Sequence, residues 1–186
     1  DYVAQFNLAK NLGDARRVTE ALDHYRRALE LKPEHAPTHY NLGNLLAKMG
    51  RSSEAMAQFE EALRLKPTYA AAHNNLGNVL RDNGRIQPAM EHFQEALRLI
   101  PYHTEACGNL AMAYAQTRQP AKARESIART FHVAEDSAAA HLLTGQLMNR
   151  LELEDLAEAE LKEAIRLDAK LPEAHYLLGQ IAIFRS

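Results

Sequence analysis

Apolar residues recur along the chain at helical spacing, inside units that themselves repeat every 34 residues. One phase of the unit carries Leu8, Leu42, Leu76 and Leu110. Two others hold small residues, Ala21, Ala55, Ala89, Ala123 and Ala157, then Ala28, Ala62, Ala96 and Ala164. Between them falls a bulky residue, Tyr25, Phe59, Phe93, Ile127 and Leu161. Spacings of three and four residues put these side chains on one helix face, so they form the expected core. Pro33, Pro67 and Pro101 lie 34 residues apart, and units begin at residues 2, 36, 70, 104, 138 and 172.

Each unit divides into two helices of about 13 residues. Gly50 and Gly84 mark the break, where a left-handed C-terminal cap is expected. The second helix ends before the proline, which has no N–H to donate and disfavours helical geometry in its predecessor. Each unit therefore reads as an antiparallel hairpin. Gly43, Gly77, Gly145 and Gly179 are expected to let the paired helices approach closely, facing alanines such as Ala28, Ala62 and Ala96. A lone hairpin leaves an apolar face uncovered, so hairpins must stack into a solenoid with a continuous core.

A 34-residue unit of the form Asn-Leu-Gly-x-x-Leu, followed by alanine, an aromatic residue, alanine and proline, resembles the tetratricopeptide repeat family. The resemblance spans essentially the whole chain. It implies an all-α fold, a right-handed superhelical solenoid of antiparallel helical hairpins forming a single domain over 1–186. Five repeats occupy 2–35, 36–69, 70–103, 104–137 and 138–171, with a terminal helix over 172–186. The later units depart from the pattern. Thr130 replaces a small alanine, Glu135 replaces the proline, and the turn at Glu152 lacks glycine, so looser turns are expected there. Both ends read as cut, which favours a piece of a longer array over a capped one.

The net charge of −2 and pI near 6.5 supply no field for nucleic acid or an anionic membrane. Residues 138–171 hold four basic and seven acidic side chains, read as a solvated face. Cys107 is the single cysteine and excludes an internal disulfide. No apolar run reaches the ~18 residues of a membrane span, and no signal peptide is visible at the N-terminus. Asp1 is not an initiator methionine, which leaves room for a removed leader. The compartment stays open, with the cytoplasm favoured.

On the first helix of each unit, the face opposite Leu42, Gly43 and Leu46 carries Asn41, Asn44 and Lys48. The resemblance implies that this face lines a concave groove. Asn7, Asn41, Asn75 and Asn109 share one phase, and stacked helices about 10 Å apart would space their amides along an extended peptide. An amide both donates and accepts without charge, which suits peptide backbone. Asn44, Asn74 and Asn78 thicken the row, while Lys10, Lys48 and Arg81 add cations. The row is similar to the asparagine ladder of O-linked N-acetylglucosamine transferases. The structural alternative is that these amides bond within and between repeats. A carboxylate clamp for chaperone C-termini is rejected, since Ala71 and Asn75 stand where lysine and arginine are needed.

His39, His73, His141 and His175 share another phase, but one zinc needs all its ligands near ~2 Å, and successive units hold these rings a helix diameter apart. They read as packed rings, and the pairs His35 with His39 and His103 with Cys107 straddle loops. No metal or cofactor is expected. No phosphate loop, nucleophile elbow or zinc-protease helix appears, and Glu60, Glu61, Glu158 and Glu160 read as solvated charge, so no catalytic residue is assigned. The sequence thus points to a non-enzymatic scaffold that holds another protein or a peptide in its groove. The alternatives are the substrate-selecting arm of a larger enzyme such as a glycosyltransferase, or end-to-end self-association through Ile183 and Phe184 of the C-terminal helix.

Overall fold

The computed structural model describes residues 1–184, the side chains of Asp14 and Phe184 excepted. The described residues form α-helices and connecting turns, with no strand. They are α1 (Tyr2–Asp14), α2 (Val18–Leu31), α3 (Ala36–Lys48), α4 (Ser52–Leu65), α5 (Ala70–Asp82), α6 (Ile86–Leu99), α7 (Thr104–Gln116), α8 (Pro120–Phe131), α9 (Ala138–Arg150), α10 (Glu154–Leu167) and α11 (Pro172–Phe184). The chain divides into two units, Asp1–Ile100 and Pro101–Ser186. α1 to α6 make three hairpins in the first. In the second, α7 to α10 make two hairpins, and α11 packs on α10. None of these helices is long and apolar enough to cross a membrane.

In the second, third and fifth hairpins the bulky residue of the second helix closes over a glycine of the first. Phe59, Phe93 and Leu161 are fully buried. A Cβ built on Gly43 would lie 2.7 Å from the Phe59 ring, on Gly77 2.6 Å from Phe93, and on Gly145 2.7 Å from Leu161. The glycines therefore face the bulky residue, and the expected pairing with Ala28, Ala62 and Ala96 is corrected. Those alanines are themselves fully buried. Leu42, Leu76 and Leu110 are buried as expected, whereas Leu8 is 43% exposed. Leu42 shares a cleft with Leu22 and Leu29 of the preceding α2.

The turns inside the hairpins are uniform. The N–H of Arg17, Arg51, Arg85, Gln119 and Leu153 each donates to the carbonyl five residues earlier, at 2.8 to 3.0 Å. The residue before each of these donors has positive φ: Arg16 (60°), Gly50 (73°), Gly84 (76°), Arg118 (57°) and Glu152 (59°). This is the Schellman arrangement, which satisfies carbonyls left open at a helix end. The looser turn expected at Glu152 is therefore not found. The end of α8 takes the same arrangement, with His132 at φ 55° and Val133 N–H donating to the Ala128 carbonyl at 3.1 Å, whereas α2, α4, α6 and α10 end without a positive φ. Glu135 stands there in place of proline.

Candidate peptide-binding face

The row is anchored in α1, α3 and α5 of the first unit, with Asn109 on α7 of the second. Asn7, Lys10 and Lys48 are exposed, while Asn41, Asn44, Asn75, Asn78, Arg81 and Asn109 are partly buried. Asn74 is 2% exposed, and its Nδ2 donates to Asn75 Oδ1 at 3.2 Å, so it lies inside the hairpin rather than on the face. The phase explains this, because Phe6 and Tyr40 are its equivalents and pack inward on Tyr25 and Phe59.

Asn75 spends its amide on the protein. Its Nδ2 donates to Asn44 Oδ1 at 2.7 Å and to the Tyr40 hydroxyl at 3.2 Å, both on the preceding hairpin. Two donors are all an amide nitrogen has, so Asn75 is a bolt between hairpins. Asn41 Nδ2 donates to the Pro37 carbonyl at 2.7 Å, and its oxygen has no donor among the described residues. Asn78 Oδ1 is buried without a hydrogen-bond partner. Arg81 is bonded to Asp82 at 3.2 Å. By contrast, no acidic side chain among the described residues pairs with Lys10, Arg16 or Lys48. Arg16 and Lys48 line one cleft with Gly13, Val18, Leu45 and Met49. Tyr40 and Arg16 stand outside the asparagine row in sequence: Tyr40 has the inward phase of Phe6 and Asn74, and Arg16 aligns with Gly50.

The histidine phase has a different purpose. His39 Nε2 lies 2.7 Å from the Pro33 carbonyl, and Nδ1 lies 2.8 Å from the Gln58 side chain. A carbonyl only accepts, so Nε2 carries the hydrogen. His73 repeats the contact to Pro67, at 3.1 Å, and meets His92 Nδ1 at 2.9 Å. Burial, then His73, holds the His92 imidazole below its ordinary value, against the opposing pull of Glu91 and Glu95. In the first hairpin Gln5 and His24 make the same bond at 2.6 Å.

In the second unit the pair is His141 with Glu160, at 2.7 Å. Glu160 also accepts from Arg124 at 2.8 and 3.1 Å. Glu160 is 7% exposed, which corrects its reading as solvated charge. Among the described residues no three His, Cys, Asp or Glu side chains gather closely enough to hold a metal ion. His35 bonds Thr38 at 2.6 Å, and His103 Nδ1 accepts from the Ala106 N–H at 3.4 Å as a helix cap. Cys107 is buried.

Three tetratricopeptide repeat models match the chain, over residues 2–68, 40–104 and 80–147. With the repeated hairpins and their bulky-over-glycine packing, they place the chain in the tetratricopeptide repeat family, whose members are generally protein-interaction scaffolds. Among solved structures it is similar to YrrB, described as a tetratricopeptide repeat protein with an unusual peptide-binding site, at 26% identity and TM-score 0.71. That match covers 95% of this chain and 91% of YrrB. It is also similar in fold to pilF of Pseudomonas aeruginosa, with 24% identity, TM-score 0.72, and coverage of 97% of this chain and 82% of that one. MamA aligns at 21% identity and TM-score 0.72, covering 91% and 92% respectively. No curated protein sequence matches the chain.

Proposed function

We propose that this chain is a protein-binding scaffold that holds an extended segment of another protein against the polar face of α1 and α3. The observation that carries this reading is the set of uncommitted groups there. Asn7, Lys10, Asn44 Nδ2, the Asn41 oxygen and Lys48 have no side-chain partner among the described residues, while the neighbouring Asn75 holds Asn44 in place. Fixed amides next to unpaired cations suit a peptide backbone carrying an acidic side chain. Asn75 supports the face from behind, Asn78 and Arg81 stand on the same helix as Asn75, and Asn109 belongs to the row by its phase alone. Asn74 is left out. The resemblance to YrrB, whose description names a peptide-binding site, favours a peptide ligand. The reading needs no catalytic residue and no cofactor.

The test is selection of peptides from a random display library on the whole chain, followed by affinity measurement on an Asn7→Ala, Asn41→Ala, Asn44→Ala variant. Expected are peptides that contain an acidic residue and lose about tenfold or more in affinity to the folded variant. Peptides that bind both proteins equally would place the binding surface elsewhere.

A further inference from the structure

We propose that Arg16 and Lys48 form a specificity subsite of the asparagine face, which holds the carboxylate of one Asp or Glu in the bound segment. The subsite rests on the reading of α1 and α3 as a peptide-binding face and fixes the acidic side chain at the turn between α1 and α2.

The chain shows in another place what such a pair of cations holds. Arg16 and Arg118 both take left-handed backbone in the turn inside a hairpin, at φ 60° and 57°. Lys48 and Arg150 are likewise equivalent, as the last residues of α3 and α9. In the second unit the anion is internal, because Arg118 Nη2 donates to the carboxylate of Asp155, the second residue of α10. The second residue of α4 is Ser53, and no acidic side chain among the described residues pairs with Arg16 or Lys48. The first two hairpins thus carry the same two cations without the carboxylate. In the intervening repeats these positions hold Gly50 with Asp82 and Gly84 with Gln116, so the cation pair does not recur there.

The space between the two hairpins also suits a side chain. Gly13 stands where the following hairpins have Ala47, Arg81 and Ala115, and nothing lies within 4 Å of a Cβ built on it. With Val18, Leu45 and Met49 it lines the cleft that Arg16 and Lys48 share. Apolar walls take the methylenes of an acidic residue, while the guanidinium fork and the ammonium take its oxygens. Arg16 holds a backbone conformation that is unfavourable for a residue with a Cβ and that glycine adopts freely at Gly50 and Gly84. Strain of this kind gathers at binding sites. At Arg118 the side chain in that strained position holds a carboxylate, and at Arg16 the bound segment supplies it.

The probes are fluorescent forms of the peptides that the whole chain selects from the random library, each paired with a version carrying glutamine for glutamate or asparagine for aspartate. They are titrated against the parent, Arg16→Gly and Ser53→Asp. Arg16→Gly gives the turn the residue of its two neighbours and should melt no lower than the parent, so lost binding is not lost folding. Its affinity for the acidic peptides should fall about fivefold at low salt, and its preference for them over the amide versions should disappear. Ser53→Asp supplies the missing carboxylate from within and should weaken the same peptides similarly. Suppose the selected peptides weaken with the Asn7, Asn41 and Asn44 replacements but carry no acidic residue, or bind Arg16→Gly as tightly as the parent. Either result would overturn the subsite and leave the peptide-binding face standing. Peptides indifferent to every replacement, or a selection that returns none, would overturn both.

Discussion

His39 and Gln58, nineteen residues apart on the two helices of one hairpin, meet at 2.8 Å while the far side of the imidazole takes up the carbonyl of Pro33. One ring therefore ties the loop before a hairpin to that hairpin's second helix. His73 and His92 do the same in the next hairpin.

Replacing His39 with phenylalanine keeps a ring but removes both polar contacts. The Pro33 carbonyl and the Gln58 amide lose a partner at a buried position, which costs about 1–3 kcal/mol. Urea denaturation of His39→Phe should show a lower midpoint at an unchanged slope.

Acid should weaken the third hairpin. The His92 imidazole titrates below its ordinary value because it is buried and faces His73, so the folded chain binds fewer protons than the unfolded one. The stability this group supplies is complete above the ordinary histidine range near ~6.5 and is lost as pH falls through the lowered folded value. His35, lowered by burial and then by Lys32, acts with the same sign. Denaturation midpoints at about pH 7.5 and pH 5 should differ less in His92→Gln than in the parent, because glutamine is the natural occupant of this place against His39.

Glycine to alanine should have opposite effects at two equivalent sites. At Gly43 the new methyl overlaps the buried Phe59 ring, and overpacking of this kind costs about 1–3 kcal/mol. The gain of about 1 kcal/mol in helix propensity offsets part of it, so thermal stability falls. At Gly179 the methyl meets nothing, only the propensity gain remains, and the melting temperature should hold or rise.

Arg16, Arg118 and Glu152 adopt left-handed backbone without being glycine. The conformation costs about 1–2 kcal/mol for a residue with a Cβ. Glycine relieves this but adds freedom to the unfolded chain, leaving a net gain of about 0.5–1 kcal/mol per site. Each should register as a raised denaturation midpoint. Arg118 should gain least, because its side chain also pairs with Asp155.

Removing the charge of Glu160 should be costly. Glu160→Gln leaves Arg124 partly buried, 19% exposed, without its carboxylate, and breaking such pairs costs about 3–5 kcal/mol. A substantial fall in the melting temperature is expected, and a second change of Arg124 to methionine should recover part of it.

Much of this fold was legible because the 34-residue period repeats residue identities: proline at the loop, glycine under a ring, alanine beside it. The polar pairs were not, because that position keeps its geometry and changes its chemistry, from Gln5 with His24 to His39 with Gln58 and His141 with Glu160. Histidine recurs on the first helix, but its partner on the second changes letter from Gln58 to His92 to Glu160, so the pair leaves no repeated signature. The buried place of Asn74 was hidden differently. Its amide looks like its neighbour's, and only the equivalent Phe6 and Tyr40 reveal a position that turns inward. The turn at Glu152 shows the converse, since backbone hydrogen bonds impose the same geometry on glycine, arginine and glutamate.

The histidine contact to the preceding loop also decides where one module of this array ends and the next begins. Pro33 precedes the first residue of α3, yet its carbonyl is held by α3, so structurally it belongs to the hairpin that follows. A shuffled or transplanted hairpin cut at Ala36 would carry an imidazole stripped of its acceptor. Cut before Pro33, the same hairpin would travel with its own latch.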